Sequence, residues 1–204
     1  MLAQEYMNRI AGDFKRAKSL PKLVGLTGKA GSGKDTIADF LVHKYAYRKY
    51  SLAGPIKRML AALLNMPELP WGDRDWKEKP IVGNHSPRML AQTLGTEWGR
   101  NISENLWLDM FEREWNQWKH YNTGVVVSDI RFNNEAQYIR SLGGCVVVIE
   151  RGSIQAVADH VSEKGIRKNK RDITLSNSSD IRGLQDAAEL ALADWSQNGP
   201  AKLR

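Results

Sequence analysis

The sequence predicts an α/β fold, a parallel sheet flanked by helices, and three observations carry that expectation. Short apolar runs, Leu23–Thr27, Gly124–Ser128 and Cys145–Glu150, alternate with helix-periodic segments, the pattern of strands buried on both faces. A glycine-rich loop joins the first run directly to a helical pattern. The stretch from Gly54 to about Tyr121 interrupts the alternation: it reads as helix-rich and holds six of the seven tryptophans, Trp71 to Trp118.

Taken in order, residues 1–22 read as an N-terminal extension, a polar amphipathic helix on the outside of a domain spanning 23–204. After the strand Leu23–Thr27 and the loop Gly28–Gly33, the apolar residues Ile37, Phe40, Leu41 and Tyr45 recur at helical spacing. A second strand is expected over Tyr50–Ala53. Within the insertion 54–121, helices are expected at Lys57–Leu64, at Pro87–Trp98 with Ser86 as cap and Pro87 in the first turn, and after Ser103; Gly95 is expected to break the second of these, between Arg88 and Arg100. Trp107, Met110, Phe111, Trp115 and Trp118 line one stripe of the last, mostly as an aromatic-rich core. Beyond the strand ending at Ser128, Asn133–Leu142 reads as a helix stopped by Gly143-Gly144. A polar, basic segment at 152–171 separates the strand Cys145–Glu150 from a last strand, Asp172–Ser176, and a last helix, Ile181–Trp195.

At 204 residues, with 42% hydrophobic and 26% charged side chains, the chain has the make-up of one globular domain with an insertion. No apolar run reaches the ~18–20 residues of a membrane span, and residues 1–22 lack the apolar core of a secretory signal. The single cysteine, Cys145, cannot form an internal disulfide and fits a reducing, cytoplasmic setting. Thirty basic against 23 acidic residues leave a net charge of +7, which favours anionic partners such as nucleotides, phosphorylated metabolites or nucleic acid.

Gly28-Lys29-Ala30-Gly31-Ser32-Gly33-Lys34 satisfies G-x-x-x-x-G-K between a strand and a helix. The arrangement has a physical reason. Glycines let successive N–H groups converge on phosphate oxygens, the helix start adds partial positive charge, and Lys34 reaches the outer phosphates of a nucleoside triphosphate. The fold expected is therefore that of a P-loop NTPase. Asp35 stands where a hydroxyl would hold Mg²⁺, with Thr36 one place later; its carboxylate is either a metal ligand, directly or through water, or a helix cap.

The loop specifies a ligand, not a reaction. Asn169-Lys170-Arg171-Asp172 spells the guanine-reading N-K-x-D, and Asp180-Ile181-Arg182-Gly183 spells D-x-x-G. Their order is reversed, and a basic polar segment precedes the former where a strand belongs, so a GTPase switch is disfavoured. A motor needs a larger core and a neighbour's arginine. Phosphoryl transfer to a small acceptor fits better, because it needs a metal-organising carboxylate and convergent cations. Asp129 follows the run Val125–Ser128, and Arg131 and Arg151 sit just past strand ends.

With Gly28–Thr36, the chain carries Leu90-Ala-Gln-Thr-Leu-Gly-Thr-Glu-Trp-Gly-Arg100, Asn105-Leu-Trp107, Ser128-Asp-Ile-Arg-Phe-Asn-Asn-Glu135 and Asp159-His-Val-Ser-Glu163. On these motifs, across roughly residues 23–196, it resembles the nucleoside monophosphate kinases, and within them the phage-type deoxynucleoside monophosphate kinases. The Gly-Lys-Asp-Thr form of the loop is itself a feature of that family. The resemblance implies a P-loop core, a helical acceptor-binding insertion at 54–121 and a short lid at 152–171. It implies ATP as phosphoryl donor, Mg²⁺, and a deoxynucleoside monophosphate as the small-molecule partner. Neither a membrane nor a stable nucleic-acid complex is expected, and a homodimer stays open. Lys57, Arg88 and Arg100 look like acceptor-phosphate ligands, and Gln92, Gly95, Thr96 and Trp107 like the surroundings of its base and sugar. Asp129, Arg131 and Glu135 are similar to residues at the donor–acceptor junction. Arg151 resembles the first lid arginine, and Asn177 opens a loop similar to the one that receives adenine. Lys34, Arg131 and Arg151 are then the catalytic cations, with Asp35 and Asp129 organising the metal. Two alternatives remain: a kinase of another phosphorylated metabolite such as phosphomevalonate, and a nucleic-acid-binding ATPase.

Overall fold

The computed structural model describes residues 20–152 and 165–199. Most of the expected N-terminal helix, and the central part of the expected lid, lie outside the described residues. The chain divides into two compact units, one formed by the chain up to Tyr50 and from Asn116 onward, the other by Ser51–Trp115.

The first unit is built on five parallel strands in the order β2-β3-β1-β4-β5. They are β1 (Leu23–Thr27), β2 (Arg48–Tyr50), β3 (Val125–Ile130), β4 (Cys145–Glu150) and β5 (Ile173–Ser176). β1, β3 and β4 are buried along almost their whole length, which is why each is dominated by Val, Leu and Ile. Helix α1 (Lys34–Tyr45) and the C-terminal helix, Ile181–Asn198, cover one face of the sheet. There Ile37 and Leu41 meet Val24, Leu26, Val147, Leu184 and Leu192 in the core. The helix Asn133–Ser141 covers the other face and lies so close that a Cβ on Gly25 would sit 3.3 Å from Cγ2 of Ile139.

β1 is central, with β3 on one side and β4 on the other, so the strand order reverses at β1. Open α/β sheets bind ligands at the carboxyl ends of strands at such a point. The β1–β3 register runs Leu23↔Val125 to Gly25↔Val127 and then jumps to Thr27↔Ile130, leaving one extra residue in β3 around Ser128-Asp129. Irregularities of this kind re-aim side chains beside sites.

The second unit is helical, as its sequence predicts: α2 (Gly54–Leu63), α3 (Arg74–Glu78) and α4 (Pro87–Gln92). A π-helix (Thr93–Arg100) continues α4, and α5 (Leu106–Trp118) begins in this unit. The remaining helices are then α6 (Asn133–Ser141) and α7 (Ile181–Asn198).

Several expectations about elements are corrected. β2 lies at Arg48–Tyr50, ahead of the predicted Tyr50–Ala53: it is a three-residue edge strand with no apolar signature, and the apolar Leu52-Ala53 belongs to a turn closed by Gly54 N–H on the Ser51 carbonyl (2.9 Å). α2 begins at Gly54, three residues before the predicted start, because Pro55 suits a first helical turn. α3 was not foreseen; Asp73 caps it by accepting from the N–H groups of Asp75 and Trp76. Gly95 does not break the helix that starts at Pro87. The helix widens there and runs on to Arg100.

Candidate phosphoryl-transfer site

The loop after β1 has the shape its glycines foretell. Gly28, Gly31 and Gly33 have φ of 144°, 76° and 107°, values that side-chain-bearing residues rarely adopt. A Cβ on Gly28 would lie 2.4 Å from the Ile149 carbonyl, and one on Gly33 2.7 Å from Leu184 Cδ2 and 2.8 Å from Asn177 Nδ2. The loop is thus pressed against β4 on one side and against the β5–α7 connection on the other. Gly33 is the N-cap of α1, so a capping role for Asp35 does not hold; its carboxylate stands in the first turn, 82% exposed.

Lys34 Nζ donates to the carbonyls of Gly28 (2.7 Å) and Lys29 (2.8 Å), which folds the ammonium over the loop. Ser32 is 1% exposed, and its Oγ has no hydrogen-bond partner. An orphaned hydroxyl is costly to bury, and a ligand oxygen would satisfy it. Thr36 lines a surface groove of about 430 Å³ with Phe40, His43 and Gln185.

Two residues at the ends of neighbouring strands brace the loop. Asn177, just past β5, donates from Nδ2 to the Ser32 carbonyl at 2.8 Å, and Arg151, just past β4, reaches the Gly31 carbonyl at 3.4 Å. Asn177 therefore holds loop backbone. Asp129 is the penultimate residue of β3, partly exposed, and Arg131 follows the strand. Glu135 is buried (4% exposed), and its Oε2 accepts from the N–H of Arg131 (2.8 Å) and of Phe132 (3.1 Å). It fixes the backbone that carries Arg131 and neutralises the open start of α6.

Lys49 carries no signal in the sequence, because the predicted second strand begins only at Tyr50. Its ammonium lies 3.2 Å from Asp35 and 2.9 Å from Asp39. Burial works against its charge, but the hydrogen bonds it donates to Asp39 and Asp35, with the negative field of both carboxylates, prevail, so its pKa is raised.

The two GTPase-like strings prove structural. Asp172 binds Arg140 through Nε (2.9 Å) and Nη2 (2.6 Å), and also accepts the N–H of Asn169 (2.7 Å). Asp180 is the N-cap of α7, accepting the N–H of Gly183 at 2.8 Å. The first string ties a turn to Arg140 of α6, and the second is helix-cap chemistry.

In the second unit, Arg88 Nε is 2.5 Å from Glu78, with the arginine side chain only 15% exposed. Lys57 stands over the Trp71 ring, 5.5 Å from its centroid. The Gln92 amide nitrogen is buried with no hydrogen-bond partner. Trp107, 5% exposed, donates from its indole nitrogen to the Gly95 carbonyl at 2.8 Å. Thr96 and Arg100 are partly exposed on the π-helix, and Gly95 is buried.

The fold has a counterpart among solved structures. A shikimate kinase from Aquifex aeolicus superposes with a TM-score of 0.50 over 87% of this chain and 99% of its own, at 14% identity, a likeness of fold. The sequence is similar over 173 residues to a protein of Acanthamoeba polyphaga mimivirus, 35% identical, covering 78% of this chain and 90% of that protein. It is also 24% identical to the deoxynucleotide monophosphate kinase of Enterobacteria phage T4, covering 80% of this chain and 95% of the phage enzyme. The family model for deoxynucleotide monophosphate kinases matches residues 22–70 and 75–187. With the loop, the strand order and that match in agreement, the chain belongs to the deoxynucleotide monophosphate kinase family.

Proposed function

We propose that this protein transfers the γ-phosphoryl group of ATP to the phosphate of a deoxynucleoside monophosphate, releasing ADP and a deoxynucleoside diphosphate. The observation that carries the reading is the loop: Lys34 at the head of α1, three glycines with positive φ, and the orphaned Ser32 hydroxyl. An acceptor phosphate oxygen attacks the γ-phosphorus, the bond to the β-phosphate oxygen breaks, and that oxygen leaves with ADP. The nucleophile is already anionic, so no general base is required. Catalysis is positioning plus charge stabilisation, supplied by Lys34, Arg131 and Arg151.

Mg²⁺ fits the residues present. Among the described residues, no group of three or more His, Cys, Asp or Glu could hold a metal alone. Mg²⁺ commonly binds through one or two carboxylates plus substrate phosphates and waters, a part for which Asp35 and Asp129 are suited. When bound, it would neutralise charge on the donor phosphates.

For the acceptor, Glu78 anchors the Nε edge of Arg88, which turns the other edge of the guanidinium to a phosphate. The buried Gln92 amide donor awaits an acceptor such as a base carbonyl, and Lys57, Thr96 and Arg100 complete the set. The +7 surplus then serves two phosphorylated small molecules in the cytoplasm (a host's, if the protein is viral), without a stable nucleic-acid complex. No helix among the described residues is long and apolar enough to cross a membrane. No residue role in this reading requires a homodimer.

The test is a coupled assay of ADP release against all dNMPs and NMPs, repeated with Arg88→Lys and Arg100→Lys. Both substitutions keep charge but lose the two-toothed fork, so the acceptor KM should rise more than the ATP KM. DNA-stimulated ATP hydrolysis without dNMP turnover, or preferential use of phosphomevalonate, overturns the reading.

A further inference from the structure

The run α4–π-helix is packed tightly from behind. An ideal Cβ on Gly95 would lie 2.9 Å from Cδ1 of Ile56, and one on Gly99 would lie 2.3 Å from Cζ2 and 2.8 Å from Cε2 of Trp107. Both glycines are buried, so this side of the run faces the interior of its unit. Trp107 makes two distinct contacts there. Its ring lies on Gly99, and its indole N–H donates to the Gly95 carbonyl, twelve residues earlier in the chain.

A helical carbonyl ordinarily makes its bond along the axis. One that also accepts from the side is drawn off the axis, and a ladder perturbed this way can widen from i→i+4 to i→i+5 spacing. Widening changes the direction in which later residues of the helix point. In an α-helix, positions 92, 96 and 100 stack along one line, because residues four apart share a face. Under the wider spacing, each successive member falls short of that line. The azimuth of Arg100 relative to Gln92 therefore depends on the form of the helix at Gly95.

We propose that Trp107 is a positioning residue for the acceptor site: its indole N–H and its ring hold the run in the π form and so set the direction in which Thr96 and Arg100 are presented. This rests on the acceptor reading above. The Trp107 N–H acts through the helix backbone, since it is committed to the Gly95 carbonyl and the ring is buried.

The decisive variant replaces Trp107 by 3-benzothienylalanine, which keeps the two-ring shape and removes the N–H. Trp107→Phe is the coded counterpart. Trp115→Phe is the control, a buried tryptophan of the same helix that stacks on Phe111 at 6.3 Å. Both constants are measured with the best dNMP, alongside thermal unfolding and Arg100→Ala. Loss of one buried neutral hydrogen bond is expected to raise the acceptor KM about five-fold for both Trp107 variants, with the ATP KM within two-fold. Trp115→Phe should lower the unfolding temperature and leave both constants alone. If the benzothienyl variant keeps the acceptor KM while Arg100→Ala raises it, the positioning role is overturned and the acceptor reading stands. If Arg100→Ala also leaves it unchanged, the acceptor reading itself has failed, and this role falls with it. Should Trp107→Phe not fold, the benzothienyl variant decides.

Discussion

Asp172 closes an N-K-x-D string, so a base-reading role and a structural role predict opposite outcomes for its removal. Its carboxylate is bound on both oxygens by Arg140, at 2.9 and 2.6 Å, and by the Asn169 N–H at 2.7 Å. The Asp172 side chain is 1% exposed and that of Arg140 19%. Asp172→Ala leaves the guanidinium without its counter-charge and the Asn169 N–H without its acceptor. Removing one member of a buried ion pair costs roughly 3–5 kcal/mol, and the partial access of Arg140 to water puts this case near the lower end, about 3 kcal/mol. For a chain of this size each kcal/mol is worth about 2–4 °C, so the unfolding temperature should drop by roughly 6–12 °C. The assay pairs thermal unfolding by circular dichroism with kcat/KM for ATP and for GTP as donors. A clear fall in unfolding temperature with an unchanged ATP-to-GTP ratio is expected. An unfolding temperature within about 2 °C of the parent, together with a changed donor ratio, would refute the structural role.

Three further outcomes follow from the site and the core. Lys34→Met should lower kcat at least ~10²-fold with little change in stability, since the ammonium rests on loop carbonyls that water can satisfy; near-normal turnover in a folded variant would remove Lys34 from the donor site. Asp35→Ala should raise the Mg²⁺ concentration needed for half-maximal rate, and Asp35→Ser less so; identical titrations for all three proteins would leave the carboxylate no part in the metal's environment. Burial, with the charge of Asp172 second, pushes the Cys145 thiol well above its ordinary range, so at pH 8 it is neutral as well as inaccessible. A thiol reagent should modify it only as fast as the protein unfolds; a rapid burst of labelling in native protein would contradict its burial.

What the sequence determined by itself is whatever local chemistry dictates. Three apolar runs became the three central strands, because burial on both faces leaves few polar positions to interrupt them. The glycine loop was readable because positive φ at Gly28, Gly31 and Gly33 is demanded by the loop whatever surrounds it. Tertiary structure decided the rest. The edge strand Arg48–Lys49–Tyr50 carries no apolar pattern, since pairing on one side alone holds it, and so Lys49 between Asp35 and Asp39 was invisible. Asn177 and Glu135 were singled out by resemblance, but only the folded chain assigns the first to the Ser32 carbonyl and the second to the start of α6. Gly95 shows the limit most plainly. Locally a glycine weakens a helix, and a break was the natural expectation; packed against Ile56 and bonded to Trp107 from twelve residues away, the helix continues instead and changes its pitch. Propensity acts within a turn or two of chain, whereas that carbonyl's second hydrogen bond comes from a helix that local sequence cannot see.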